Sequence, residues 1–199
     1  MREISPAENL TVDKCLDLYP PDVHARVNEL RCQKAAGLRR CPSVTLIDRS
    51  QLLVHEARAT LLDQVALLVD ENLFGRAEMC MQFADLLERA LRHLGLPARS
   101  TVGSAVYYFD GREVFHWKHA WVRVGCEVVD GNVDVLDENP AVPAVVKIAP
   151  YWGPINETPQ DRRLREDKAL RLPADIDVSE TWWPELRAWL DERFARESA

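Results

Sequence analysis

Two short phrases hold the residues best able to do chemistry. The first is GRAEMCMQFADLLERALRHLGLPAR, residues 75–99, where Cys80 opens a helical pattern. The second is HAWVRVGCEVVDGN, residues 119–132, which carries His119, Trp121, Asp130 and Asn132. A cysteine attacks as the thiolate, and a helix N-terminus or a nearby imidazolium lowers its pKa to between about 3.5 and 7.5. The first turn of a helix also offers backbone N–H groups to a developing oxyanion. Acyl transfer through a thioester needs this nucleophile, a base, and a group that orients the base.

Strand register supplies the base and its orienter. If Gly125 and Cys126 form a two-residue turn, Val124 faces Glu127, Trp121 faces Asp130 and His119 faces Asn132. Opposed residues, and residues two apart on one strand, share a face. His119 and Asp130 are then diagonal neighbours, about 7–8 Å apart at the backbone and within side-chain reach. Asp130 or Asn132 can hold the imidazole in one tautomer, and Asp134 lies further along the same face.

Helices must carry the cysteine and strands the histidine. Cys80, Ala84, Leu87, Leu91 and Leu94 recur at steps of four and three, one face of a helix that Gly95 and Pro97 end. Upstream, Leu53, Ala57, Leu61, Val65 and Leu68 predict a long amphipathic helix within residues 49–74. A shorter helix is expected from Asp22, as its cap, to about Lys34, with Val23, Val27 and Leu30 on one face. VTLID reads as a short extended piece. After Arg99 the period changes to that of strands. Asp110-Gly111 marks one hairpin and Gly125-Cys126 another, so four strands are expected between Ser100 and Leu136. Residues 138–161 are proline-rich and read as an ordered loop. SETWWPELRAWLDERFARE predicts a terminal helix at about 181–197, with Leu186, Trp189, Leu190 and Phe194 buried. Helices followed by an antiparallel meander give an α+β fold in a single domain over 1–199.

Composition narrows the function. The 199 residues are 47% hydrophobic and 29% charged, a globular balance. A net charge of −7 disfavours a nucleic-acid footprint, and no run of about 18 apolar residues proposes a membrane span. MREISPAENLTVDK lacks the apolar core of a secretory signal. Cys15, Cys32, Cys41, Cys80 and Cys126 are odd in number and form no CxxC pair, which fits reduced thiols and a cytoplasmic location. His116 is expected to point to the face opposite His119, which argues against a two-histidine metal site.

Together, Cys80, the Gly95-Leu96-Pro97-Ala98-Arg99 phrase, His119-Ala120-Trp121 and Asp130 resemble the transglutaminase-like superfamily of papain-type cysteine enzymes. The resemblance covers about residues 75–135. Departures are Met79 before the cysteine, a short hairpin, and Gly131-Asn132-Val133-Asp134 after the aspartate. It implies a layer of helices on an antiparallel sheet. It also implies a Cys-His-Asp triad of Cys80, His119 and Asp130, with Asn132 as the alternative orienter. The expected reaction is hydrolysis of a peptide or amide bond in a substrate of unknown identity. Transfer to an amine, or a non-enzymatic binding role with an idle triad, are the alternatives. No metal or organic cofactor is implied. Trp121 and Trp152 are candidate cleft walls.

Overall fold

The computed structural model describes residues 21–38, 45–71, 75–139, 142–143 and 145–195. The chain divides into two compact units between Arg39 and Arg40. The first contains helix α1, Pro21–Ala35. Its predicted cap, Asp22, lies inside the helix, and the side chains of Asp22, Val23 and Val27 fall outside the described residues. So do Cys15 and Cys41, whereas Cys32 is exposed.

The second unit is α+β. Helices α2 (His55–Val69), α3 (Cys80–His93) and α4 (Trp183–Ala195) accompany six strands: β1 (Ile47–Asp48), β2 (Ala98–Phe109), β3 (Arg112–Val124), β4 (Glu127–Asp130), β5 (Tyr151–Pro154) and β6 (Arg162–Glu166). The sheet order is β1-β5-β4-β3-β2-β6. The β1–β5 pair is parallel and the others antiparallel.

The helical stripe of α3 is the centre of the core. Ala84, Leu87 and Leu91 are buried as the spacing predicts, joined by Phe83, Leu86 and Ala90. They pack with Leu61, Leu62 and Val65 of α2, Leu186 and Leu190 of α4, and Val102, Ala120, Val122 and Val129 of the sheet. Each fully buried side chain of this size contributes about 1.5–3 kcal/mol. Gly95, at φ +79°, ends α3 in the left-handed region, and the Leu96 N–H reaches back to the Leu91 carbonyl at 2.9 Å. Ser100 then ties β2 to the helix by donating its N–H to Glu88 at 2.7 Å and its hydroxyl to the Ala84 carbonyl at 2.9 Å.

The other face of the sheet is also covered. Ala105 and Tyr107 pack against Val133, Leu136, Val142, Val146 and Ile148, while Trp121, Val128 and Tyr151 form a smaller cluster.

The meander differs from expectation in two places. Strand β3 runs unbroken from Arg112 to Val124, so three strands replace the expected four. After Asp130 the chain leaves the sheet and enters a short 3₁₀ helix, Val133–Glu138. The expected register is otherwise present: Val124 pairs with Glu127, Arg123 with Val128 and Val122 with Val129. The proline-rich segment also supplies β5, and β6 follows it. They pair with the edges of β4 and β2, partners distant in sequence that leave no local periodic signal. The long helix begins at His55, later than its apolar pattern, because Leu53 takes φ +59° and Arg58 donates to the carbonyls of Leu52 and Leu53.

Gly131 marks the exit from β4. A Cβ there would lie 2.7 Å from Phe83 Cε1 and 3.1 Å from Leu62 Cδ2, so the chain passes against α2 and α3 at glycine's clearance. Gly131→Ala is expected to lower the unfolding free energy by about 1–3 kcal/mol through overpacking. Denaturant unfolding should show Phe83→Leu in the same chain recovering part of that loss.

Candidate active site

Cys80 is the first residue of α3, and the N-cap residue before it, Met79, makes no side-chain cap hydrogen bond. The first turn carries no acidic residue. Its backbone N–H groups and the positive end of the helix dipole therefore lie beside the sulfur with no internal carboxylate competing. The approach to this turn is clamped. Arg76, 1% exposed, donates to Asp134 at 2.8 and 2.9 Å and to the Asn132 side-chain oxygen at 3.2 Å. Asn132 donates in return to the Arg76 carbonyl at 2.8 Å.

This clamp corrects one expectation. Asn132 does not orient His119, and Asp134 does not approach it as a third member. The strand that would have carried both past His119 ends at Asp130, and Arg76 takes their polar groups instead.

Asp130 meets the histidine. His119 Nε2 lies 2.9 Å from Asp130 Oδ1, across the diagonal that the register predicts. The other ring nitrogen is left for Cys80, which lines the same cleft as His119 and whose anion the imidazole favours. The Ala120 backbone also favours that anion, as an N–H group near the sulfur does. Strand pairing explains why this N–H is free: β4 covers β3 from Val122 to Val124 and stops.

Two residues not singled out from sequence complete the site. Asp130 Oδ2 accepts from Arg162 Nη1 at 2.8 Å and from the Tyr107 hydroxyl at 3.2 Å. Arg162 also donates Nε to Asp161 at 2.8 Å and Nη2 to the Ala149 carbonyl. Arg162 and Asp130 side chains are both 0% exposed. Tyr107 sets its ring edge-on to His119 at 5.9 Å. In the sequence, Arg162 opens RRLRE, a charged run with no local sign of burial; only the alternation with Leu164 could have suggested one face turned inward.

Electrostatics follow from this packing. Burial pushes the Cys80 thiol up, but its bond to His119, the imidazolium charge and the Ala120 N–H outweigh that and lower it. Burial alone would depress His119; the Asp130 bond and charge, then Cys80, reverse this and push it up to about 10. Burial opposes ionisation of Asp130, yet His119 and Arg162 together hold its pKa below the usual value of 3.8. A thiolate–imidazolium pair is therefore favoured between the lowered cysteine value and the raised histidine value.

Beside the sulfur lies a cleft of about 220 Å³. Cys80, His119, Tyr107, Phe115 and Trp117 line it. Neither candidate wall does. Trp121 is 3% exposed and stacks on His119 at 6.2 Å, so it backs the imidazole from within the sheet's packing. Trp152 is fully buried and donates its indole N–H to Glu127 at 3.0 Å, because β5 inserts beside β4 and turns it into the core. Cys126 is exposed in the β3–β4 turn, and His116 is exposed beside Glu113. Among the described residues, no three His, Cys, Asp or Glu side chains are grouped to hold a metal ion. None of their helices is long and apolar enough to cross a membrane.

No family model matches this sequence, and no curated protein matches it either. Among solved structures, the crystal structure of a structural-genomics target aligns with a TM-score of 0.42 and 18% identity. The alignment covers 70% of this chain and 74% of that one.

Arg162→Met is expected to cost about 3–5 kcal/mol, the loss on removing one partner of a buried ion pair. The depressed Asp130 pKa contributes stability that is complete above its unfolded value, near 3.8, and is lost as pH falls through the folded one. Without Arg162 the folded value rises, so circular dichroism against pH should place acid unfolding at a higher pH than in wild type.

Proposed function

We propose that this protein is a cysteine-dependent acyl-transfer enzyme of transglutaminase-like type, hydrolysing a peptide or amide bond. The observation that carries the reading is the continuous chain Cys80–His119–Asp130, with the thiol at an uncapped helix start. The Cys80 thiolate attacks the amide carbon, forming a C–S bond and an oxyanion. Backbone N–H groups at the start of α3 would stabilise that charge. His119 gives its proton to the leaving amine as the C–N bond breaks, which leaves a thioester. Neutral His119 then takes a proton from water, whose oxygen attacks the thioester carbon. The tetrahedral intermediate collapses, the C–S bond breaks to release the Cys80 thiolate, the acid product leaves, and the proton stays on His119, which restores the thiolate–imidazolium pair. Asp130 holds the ring throughout and stabilises its charged form.

The lowered Cys80 value and raised His119 value predict a bell-shaped rate profile. The rate rises as the thiolate forms and falls as pH climbs through the histidine value toward 10, where the leaving group loses its proton donor. Iodoacetamide labelling at pH 6, read by mass spectrometry, should modify Cys80 at least about tenfold faster than a free thiol. His119→Ala should remove that advantage. Asp130→Ala should move the pH dependence of labelling, whereas Asn132→Ala should lower stability and leave it in place. A Cys80 that reacts no faster than glutathione at pH 6 would overturn the proposal.

A further inference from the structure

The strip of sheet just past the core carries a row of polar groups. Val102 pairs with Ala120, and both lie in the core with α3. Two residues further along β2, Ser104 pairs with Lys118 of β3 on one side and with Arg165 of β6 on the other. Opposed residues share a face, and so do residues two apart on one strand. Lys118, Ser104 and Arg165 therefore form one row on the face that α3 covers lower down. Neighbouring strands lie about 4.7–4.9 Å apart, so roughly 10 Å separates the backbones of Lys118 and Arg165. Only the short serine side chain stands between them. Together with Lys168 they border a hollow of about 810 Å³.

The charge of this hollow opposes that of the protein. The sequence has a net charge of −7, yet Lys118, Arg165 and Lys168 all reach one exposed site. Among the described residues, none of these three cations makes a salt bridge. Two carboxylates share the wall. Glu166 is held by the fork of Arg99 at 2.8 and 2.9 Å. Asp167 accepts the Ala169 N–H at 2.9 Å and is the one acid left to three cations. An excess of positive charge remains. Arginine offers a planar fork, lysine a compact ammonium and serine a hydroxyl donor, the set that suits an oxyanion.

This hollow adjoins the nucleophile. Trp117 and Lys118 line both it and the cleft that holds Cys80. Ser100 bonds the Ala84 carbonyl, which sets β2 level with α3 at that point. Four strand residues lead on about 13 Å to Ser104, and four helix residues lead back about 6 Å to Cys80. The row thus stands roughly 7 Å past the start of α3 along the strand. We infer that the substrate is an acidic amide, whose carboxylate or phosphate group seats over Ser104 between Lys118 and Arg165 while its carbonyl lies at Cys80. This rests on the acyl-transfer reading above. Trp117, 64% exposed, forms the corner that the body of the substrate crosses. Lys168 adds positive charge at the rim.

The test uses the full chain and three probes that differ at one end: chloroacetyl-aminohexanoic acid, its primary amide, and chloroacetyl-aminohexyl phosphate. With each, the Cys80 thiolate displaces chloride and forms a thioether, read by mass spectrometry. An acidic protein repels anions, so without a seat both acids label more slowly than the amide. The expected order is the reverse. At least one acid should label Cys80 about tenfold faster than the amide, the gain from a hydrogen bond to a charged group, and the faster acid identifies the group bound. Arg165→Gln and Lys118→Gln should each lower the acid-to-amide ratio toward one. Both side chains are exposed, and the amide probe is each variant's own reference for thiol reactivity. A wild-type ratio at or below one for both acids, with Cys80 still fast toward iodoacetamide at pH 6, would overturn the acidic substrate and leave the catalytic reading standing. A raised ratio that survives both substitutions would overturn the seat. Slow labelling by iodoacetamide as well would remove both readings.

Discussion

The site depends on one buried carboxylate. Asp130 has no exposed surface, and an isolated ion there would cost several kcal/mol. It stays charged because three donors surround it: His119 on one oxygen, Arg162 and Tyr107 on the other. These come from β3, β6 and β2, while Asp130 itself ends β4. Four strands must therefore be in register before the charge is satisfied. The same arrangement fixes the imidazole that favours the Cys80 anion, so the order of the sheet and the state of the thiol are coupled.

The second constraint is where β4 stops. Gly131 passes against Phe83 and Leu62, and Arg76 then draws in Asn132 and Asp134. This frees the Ala120 N–H for the sulfur and opens the edge of β3 along the cleft. It also binds the segment before Cys80 to the segment after Asp130, two parts of the site more than fifty residues apart in sequence. A longer β4 would have hidden the histidine edge; a looser exit would have left the start of α3 unanchored.

Sequence and structure agree where local patterns decide. The stripe of α3, its stop at Gly95, the turn at Gly125-Cys126 and the His119–Asp130 diagonal all follow from periods of 3.6 and 2 and from turn chemistry. They part where long-range pairing competes. Asn132 had the right parity to face His119, but parity says nothing about where a strand ends. Trp152 sat in a loop-like proline-rich context and became a core residue because β5 found the free edge of β4. Arg162 gave no local sign of burial, since its reason for being inside is a carboxylate 32 residues away.

By itself, then, the sequence determined the helix that presents Cys80, the strand face shared by His119 and Asp130, and the α+β order of elements. These rest on side-chain periodicity and on backbone turns, which act over a few residues. The tertiary structure decided which of three polar residues meets the imidazole, how Asp130 keeps its charge, and which aromatic rings border the cleft. Those depend on desolvation and on strand partners brought from distant segments, and neither is written in the neighbouring residues.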